Sequence, residues 1–318
     1  MKRSTIALWI LIAIPLADVV GILIAYYLPM FQSTLTKQPD NRAPGEMRIV
    51  SLSPSTTEML FALGVEKSLV GVTKYCNYPP EAKKIERVGG FGKPNVEKLL
   101  SLSPDLVVGS GLSRTDVQQV LRDSGIQVLE IRVNNIGEMF QSLRDIGDAT
   151  TARRRADEVI ASMQAELQKV ASQLPDAKKS PPPRVFVELW DDPLTTIGGG
   201  SYLDEIIARA GGINVAHDIS QPHPRISAEK VIEWDPDVII IAHMAQRPSS
   251  AAEIGKRIGW SDIKAVKRSR VVCDIPNDLM LVPGPRLIEL VRLLVTRLHE
   301  TAKEPGTAID KAAPNKTP

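Results

Sequence analysis

Cysteine is nearly missing from this chain of 318 residues: Cys76 and Cys273 are its only two, and they fall in different halves with no Cys-x-x-Cys pair. A disulfide framework and a thiolate zinc site are therefore not indicated. Histidine is scarce as well, and His217, His223, His243 and His299 all lie in the second half. A transition-metal cage between two halves would draw imidazoles from both, so a dedicated metal binder is disfavoured. Charge of neither sign dominates, because 39 Lys and Arg against 37 Asp and Glu leave a net +2. That balance gives no support to nucleic-acid binding. Catalytic signatures are absent too: no nucleophile elbow, no His-Glu-x-x-His, no Walker loop and no Gly-x-Gly-x-x-Gly. An enzyme is not expected. Aromatic residues make up only 4% of the chain, so each one beside a cleft carries weight.

What the chain does have is one phrase said twice. Residues 95–110 and 227–242 align with Glu97 on Glu229, Lys98 on Lys230, Pro104 on Pro236 and Asp105 on Asp237. Self-similarity at a fixed offset marks a duplicated supersecondary unit. In each copy Asn95 or Ser227 is a helix N-cap, and the glutamate follows in the first turn against the positive end of the helix dipole. The proline then ends the helix. Leu106–Val108 and Val238–Ile241 are continuous apolar runs of the kind that form strands buried on both faces of a parallel sheet. The reading is α/β, with two Rossmann-like lobes. An isolated glutamate in a first helical turn is ordinary, but a matched pair on two lobes suggests a surface that docks at two points.

The remaining segments fit around that pair. Lys2 and Arg3 precede an apolar run over 6–31, long enough to cross a bilayer although Pro15 and Asp18 interrupt it. It reads as a signal anchor rather than a cleaved signal peptide, with the rest of the chain outside the cytoplasm. Residues 32–47 read as a linker. The N-terminal lobe covers 48–150, with a strand at Arg48–Leu52 and a helix capped by Thr56 or Thr57 that stops near Gly64. Lys74–Pro80 and Val88–Lys93 are loops. Apolar residues from Ala152 to Val170 recur at helical spacing, giving a bridging helix over 151–174, roughly 36 Å long and able to act as a stiff strut. Arg153, Arg154 and Arg155 near its start point different ways and read as a solvated face. The C-terminal lobe covers 183–303, with Trp190–Pro193 as a loop, a strand at Val271–Ile275 and a closing helix from Leu287. Residues 304–318 form a tail without structure.

Several of these stretches, in this order, resemble the vitamin B12-binding periplasmic proteins. They are Arg48-Ile-Val-Ser-Leu-Ser-Pro-Ser-Thr-Thr-Glu58, the Tyr78-Pro-Pro loop, Asn95-Val-Glu97, Ser103-Pro-Asp105, Gly211-Gly-Ile-Asn214 and Pro285-Arg286. The resemblance spans residues 47–300 and extends to ferric-siderophore and haem binders. It implies two lobes joined by one rigid helix, limited closure between them, and delivery of a ligand to an ABC permease and its ATPase in the inner membrane. It also implies that Glu97 and Glu229 dock on that permease. Tyr75 and Phe91 match aromatic cleft positions of the family, Trp190 lies beside another, and Arg286 matches an arginine at the cleft rim. Ser110 stands where the family has tryptophan, His223 replaces another aromatic, and the family's disulfide cysteines are absent.

The leading ligand is a corrinoid, with a ferric siderophore or haem as the alternative and a membrane-tethered sensor or scaffold as a reading of another class. His223 could face the ligand as an axial group to cobalt or iron. No resident cofactor or metal is expected, since the corrinoid would be cargo.

Overall fold

The computed structural model describes residues 47–111, 115–243 and 250–299. The apolar run at 6–31, the linker up to residue 46 and the tail from 304 lie outside the described residues. Among those described, no helix is long and apolar enough to cross a membrane.

The first lobe contains β1 (Ile49–Ser51), β2 (Leu69–Val72), a small hairpin of β3 (Gly89–Gly90) and β4 (Lys93–Pro94), β5 (Leu106–Gly109) and β6 (Gln127–Glu130). Its helices are α1 (Pro54–Ala62), α2 (Val96–Ser101), α3 (Thr115–Asp123) and α4 (Ile136–Ala149). The long helix α5 (Arg153–Gln173) then crosses to the second lobe. That lobe contains β7 (Arg184–Glu188), the hairpin of β8 (Trp190–Asp191) and β9 (Leu194–Thr195), β10 (Ile213–Asn214), β11 (Val238–Ile241) and β12 (Val271–Val272). Its helices are α6 (Tyr202–Arg209), α7 (Ala228–Trp234), α8 (Ala251–Gly255), α9 (Lys264–Lys267), α10 (Asn277–Leu281) and α11 (Leu287–His299).

The two main sheets are the same object built twice. Their strand orders are β2-β1-β5-β6 and β10-β7-β11-β12, and every pairing within them is parallel. The repeated phrase supplies α2 with β5 and α7 with β11, each strand lying beside the first strand of its lobe. Both helices are capped as their sequences imply: Asn95 accepts from the Lys98 N–H at 3.0 Å and Ser227 from the Lys230 N–H at 3.3 Å. Before each proline the chain turns through a left-handed residue, Ser103 at φ 45° and Asp235 at φ 44°. The aspartate after each proline then clamps the first strand. Asp105 accepts from the Arg48 N–H at 2.8 Å and Asp237 from the Arg184 N–H at 3.0 Å. Both arginines reach back to the end of the repeated helix, Arg48 to the Leu102 carbonyl and Arg184 to the Trp234 carbonyl.

Alternate residues of each strand feed different cores. Ile49, Leu106 and Val108 join Val185, Val187, Val238 and Ile240 in one cluster that runs through α4, α5 and α11. Val50 and Val107 face a second cluster in the first lobe, and Phe186, Ile239 and Ile241 face a third in the other. Both faces of each sheet are thus covered, as continuous apolar strands require. Helix α5 packs on α4 and α11, so it is wedged into the shared core. Thr151, at φ 58°, separates it from α4, and the extended Leu174 before Pro175 ends it.

Four local expectations change. The loop expected over Val88–Lys93 forms the β3–β4 hairpin. Ser53, and neither Thr56 nor Thr57, caps α1, because Pro54 takes the first helical position, where its missing N–H costs nothing. Thr56 and Thr57 instead bond to Ser51 and Ser53 from inside the first turn. Trp190–Pro193 is half of the β8–β9 hairpin and not an open loop. The strand expected over Val271–Ile275 ends at Val272, where Asp274 turns away to Arg297, 2.6 Å distant.

The Gly198-Gly199-Gly200 run is explained by contact and not by phosphate. A Cβ on Gly198 would lie 2.1 Å from the Gln221 carbonyl oxygen, and one on Gly199 would lie 2.0 Å from that of His217. Loop 217–222 lies flat on this run, and backbone cannot yield as a flexible side chain can. Gly199→Ala is expected to destabilise the folded protein by about 1–3 kcal/mol, read as a lower urea midpoint at unchanged slope.

Candidate functional site

The carboxyl ends of both parallel sheets, where open α/β sheets bind ligands, carry Tyr75, Ser110 and Trp190. Thr73-Lys74-Tyr75 leaves the end of β2, Ser110 the end of β5, Leu189-Trp190 the end of β7, and Asp274 onward the end of β12. Helices α2 and α7 end against Arg48 and Arg184 at the amino ends of their sheets. Their first turns, with the exposed Glu97 and Glu229, therefore point to the same carboxyl-end side as the cleft. The Glu229 carboxyl is held below its usual range by its own backbone N–H and by the Ser227 hydroxyl.

A cleft of about 430 Å³ lies between the lobes. Val133 and Asn134 line it from the first lobe, and Leu189, Trp190, Leu203, Pro222, His223, Leu281 and Pro283 line it from the second. Its wall is largely apolar, so it suits a ligand with broad apolar faces and few fixed polar contacts. The Trp190 indole N–H donates to the Asp192 carbonyl at 2.7 Å, which fixes the ring at the rim with 38% of its surface exposed. His223 follows the glycine-backed loop. Partial desolvation beside that wall lowers its pKa from the ordinary 6.5, although the residue stays exposed. The loop is pinned from beneath: Asp204, nearly buried, binds the Asn214 amide and the His217 ring, each at 2.9 Å. Asn214 also donates to the Ile197 carbonyl. These bonds give Asn214 of the Gly-Gly-Ile-Asn stretch a structural role.

Tyr75 and Phe91 lie apart from that lining, each 51% exposed, on neighbouring loops of the first lobe. Phe91 lies against Gly111, where an added Cβ would be 3.6 Å from its Cζ, and Lys74 sits 5.0 Å from the Tyr75 ring centre. Arg87 holds the Tyr75 loop by donating to the Thr73 and Cys76 carbonyls at 2.7 and 2.9 Å. The structure thus brings Trp190 and His223 into one cleft and leaves Tyr75 and Phe91 as a separate aromatic pair.

Arg286 is held otherwise. Its Nε and Nη2 donate to the buried Glu58 carboxylate at 2.8–3.1 Å, and Nη2 also reaches Asp278 at 3.2 Å. Its guanidinium lies 3.9 Å from the Tyr78 ring centre. Glu58 belongs to α1 of the first lobe and Arg286 precedes α11 of the second, so the pair ties the lobes together. Burial pushes the Glu58 carboxyl above its usual value, and Arg286 pulls it back. Nearby, the Tyr202 hydroxyl donates to the Met280 carbonyl, and burial, with the Glu58 charge behind it, drives the phenol far up.

Sequence reading missed the role of Glu58, though an acid just before Met59-Leu60-Phe61 is a signal, since carboxylates are rarely buried unpaired. It also missed Glu188, fully buried at the end of β7, bonded to His243 at 2.7 Å and to Arg257 at 2.5 and 2.8 Å. Cys76 and Cys273 are free, and burial raises the Cys273 thiol to about 11, well away from a reactive thiolate. Among the described residues no cluster of His, Cys, Asp or Glu is placed to hold a metal ion.

Two parallel-sheet lobes on one long helix, with a largely apolar cleft and no catalytic constellation described in it, define a solute-binding protein. The chain belongs to the periplasmic binding protein family, whose model matches residues 49–278. Members of that family are transport components and not enzymes. An uncharacterized ABC transporter substrate-binding lipoprotein, YvrC, of Bacillus subtilis is 35% identical, over 85% of this chain and 84% of its own. The vitamin B12-binding protein of Salmonella typhimurium is 34% identical over 80% and 90%. The solved periplasmic heme-binding protein RhuT of Roseiflexus superposes with a TM-score of 0.69 at 27% identity, over 80% of this chain and all of that one.

Removing the partner of Glu58 tests the inter-lobe tie. Arg286→Ala is expected to cost about 3–5 kcal/mol at pH 7, because a buried carboxylate is left uncompensated. A carboxyl raised in the folded state costs most once pH has risen through its folded pKa. The deficit should therefore shrink as pH falls toward 4.5, and Glu58→Gln in the same background should relieve it. Urea midpoints at pH 5 and 7 read both.

Proposed function

We propose that this chain is the extracytoplasmic binding component of an ABC importer and that it captures a corrinoid of the vitamin B12 type between its lobes. The observation that carries the reading is the cleft between the lobes, with Trp190 on its rim and a largely apolar wall supplied mostly by the second lobe. A corrin ring is broad, largely apolar on its faces and polar at its edge, and such a wall suits it. Tyr75 and Phe91, exposed on the first lobe outside the cleft lining, are two further aromatic faces for the ligand's edge. Likeness to a vitamin B12-binding protein over most of both chains supports the same ligand. Glu97 and Glu229, exposed on the cleft side of the two lobes, are the contacts for a permease with its ATPase. The N-terminal apolar run holds the folded lobes at the outer face of the membrane.

One observation favours a second reading, capture of haem. His223 stands on the cleft wall with its basicity reduced, and a neutral imidazole is a good axial ligand for iron or cobalt. Likeness to a heme-binding protein is compatible with it. Among the described residues no arginine lines the cleft, which weighs against an anionic siderophore.

Calorimetry with cyanocobalamin, cobinamide, haem and a ferric hydroxamate separates these readings. Cyanocobalamin is expected to bind most tightly, and Trp190→Ala is expected to weaken it by about 1–3 kcal/mol, as loss of an aromatic anchor does. Tightest binding of haem, with a spectrum that changes in His223→Ala, would replace the corrinoid with haem.

A further inference from the structure

The turn after α8 carries the most exposed large apolar side chain among the described residues, Ile258 at 96%. A lone exposed isoleucine is unremarkable when it sits on a mobile surface, but this one is held from both sides. Before it, Arg257 makes a two-point bond to Glu188, which is fully buried, and its guanidinium lies 4.7 Å from the Trp260 ring centre. Trp260 is fully buried too, edge-on to Phe186 at 6.1 Å. After it, Gly259 turns at φ 77° against Ile232 of α7, so closely that a Cβ would lie 2.7 Å from Ile232 Cδ1. The tip is therefore set in advance, and a partner meeting it orders nothing.

Ile232 follows Glu229 by three residues and shares its face of α7. The isoleucine and the carboxylate thus sit on one side of the second lobe. Glu229 is an anion there, bonded to its own backbone N–H and the Ser227 hydroxyl. The first lobe repeats the carboxylate as Glu97, and its crossover from β5 to β6 is shorter.

We propose that Ile258 is an apolar docking knob which, beside Glu229, seats the second lobe on the transporter. The partner is a membrane transporter surface that presents a cation to Glu229 and, next to it, a dry apolar socket for one side chain. This rests on the importer reading above.

The test is uptake of radiolabelled cyanocobalamin, haem and a ferric hydroxamate by cells of the source organism whose full-length gene carries each change. Ile258→Asp and Ile258→Lys are both expected to cut the gene-dependent uptake about tenfold, the effect of losing one central apolar anchor, while Ile258→Leu keeps it. Ligand affinity and melting temperature of the purified variants stay at the wild-type values. Wild-type uptake in either charged variant, with Glu97→Ala and Glu229→Ala impaired, overturns the knob and leaves the importer standing. So does a charged variant whose ligand affinity or melting temperature falls with its uptake. If deleting the gene changes none of the three uptakes, the importer reading falls and takes the knob with it.

Discussion

Each lobe depends on a reciprocal backbone clamp at the start of its first strand. In the first lobe the Arg48 N–H donates to the Asp105 side chain while the Asp105 N–H donates to the Arg48 carbonyl, both at 2.8 Å. In the second, Arg184 and Asp237 repeat the exchange. The clamp fixes where the central strands start relative to each other. A slip of one residue would move every inward side chain to the other face, and the two cores on either side of each sheet would exchange residues. The proline and left-handed residue before each aspartate set the turn that makes the clamp reachable. The register then places the carboxyl ends of all eight main strands, and with them the cleft and both glutamates, on the ligand side.

On that frame the cleft is stiffened by groups that need never touch ligand. Gly198, Gly199 and Gly200 let loop 217–222 lie flat, and Asp204 holds it through Asn214 and His217. Arg87 does for the Tyr75 loop what Asp204 does for the His223 loop, with two bonds to backbone carbonyls. The Trp190 ring is locked by its own indole N–H. Side chains held in advance lose less freedom on binding, so more of the contact energy is left as affinity.

The large features were legible because they are written as pattern. Two copies of helix, proline, aspartate and apolar strand fixed the fold class, and helical spacing found α5 to within two residues at either end. Failures came where pattern is silent. Thr56 and Thr57 look like caps until Pro54 is seen to open the helix, with Ser53 as its cap. The β3–β4 and β8–β9 hairpins have two-residue strands, too short for alternation to register. Ion pairs are the hardest. Glu58 and Arg286 are 228 positions apart, and Glu188 and Arg257 are 69 apart, so only the folded chain can introduce them. Arg286 could be read as a rim residue, but the buried acid that claims it could not be seen.

That claim bears on how the lobes move. A wide hinge needs an interface that can part at low cost, but here the parting surface includes a buried carboxylate bonded to a guanidinium that also stacks on Tyr78. Opening there would either expose both charges to water or leave one of them dry and alone, and the second is far more costly than the pair is stabilising. Pro283 and Gly284 confine the segment further: a Cβ on Gly284 would already lie 3.0 Å from Glu58 Oε2. With the apolar face of α5 packed on α4 and α11, the lobes are tied at two places. Ligand entry is then better served by small shifts of the rim around Trp190 and His223 than by swinging one lobe away from the other. A cleft that barely closes cannot signal its occupancy through a large change of shape.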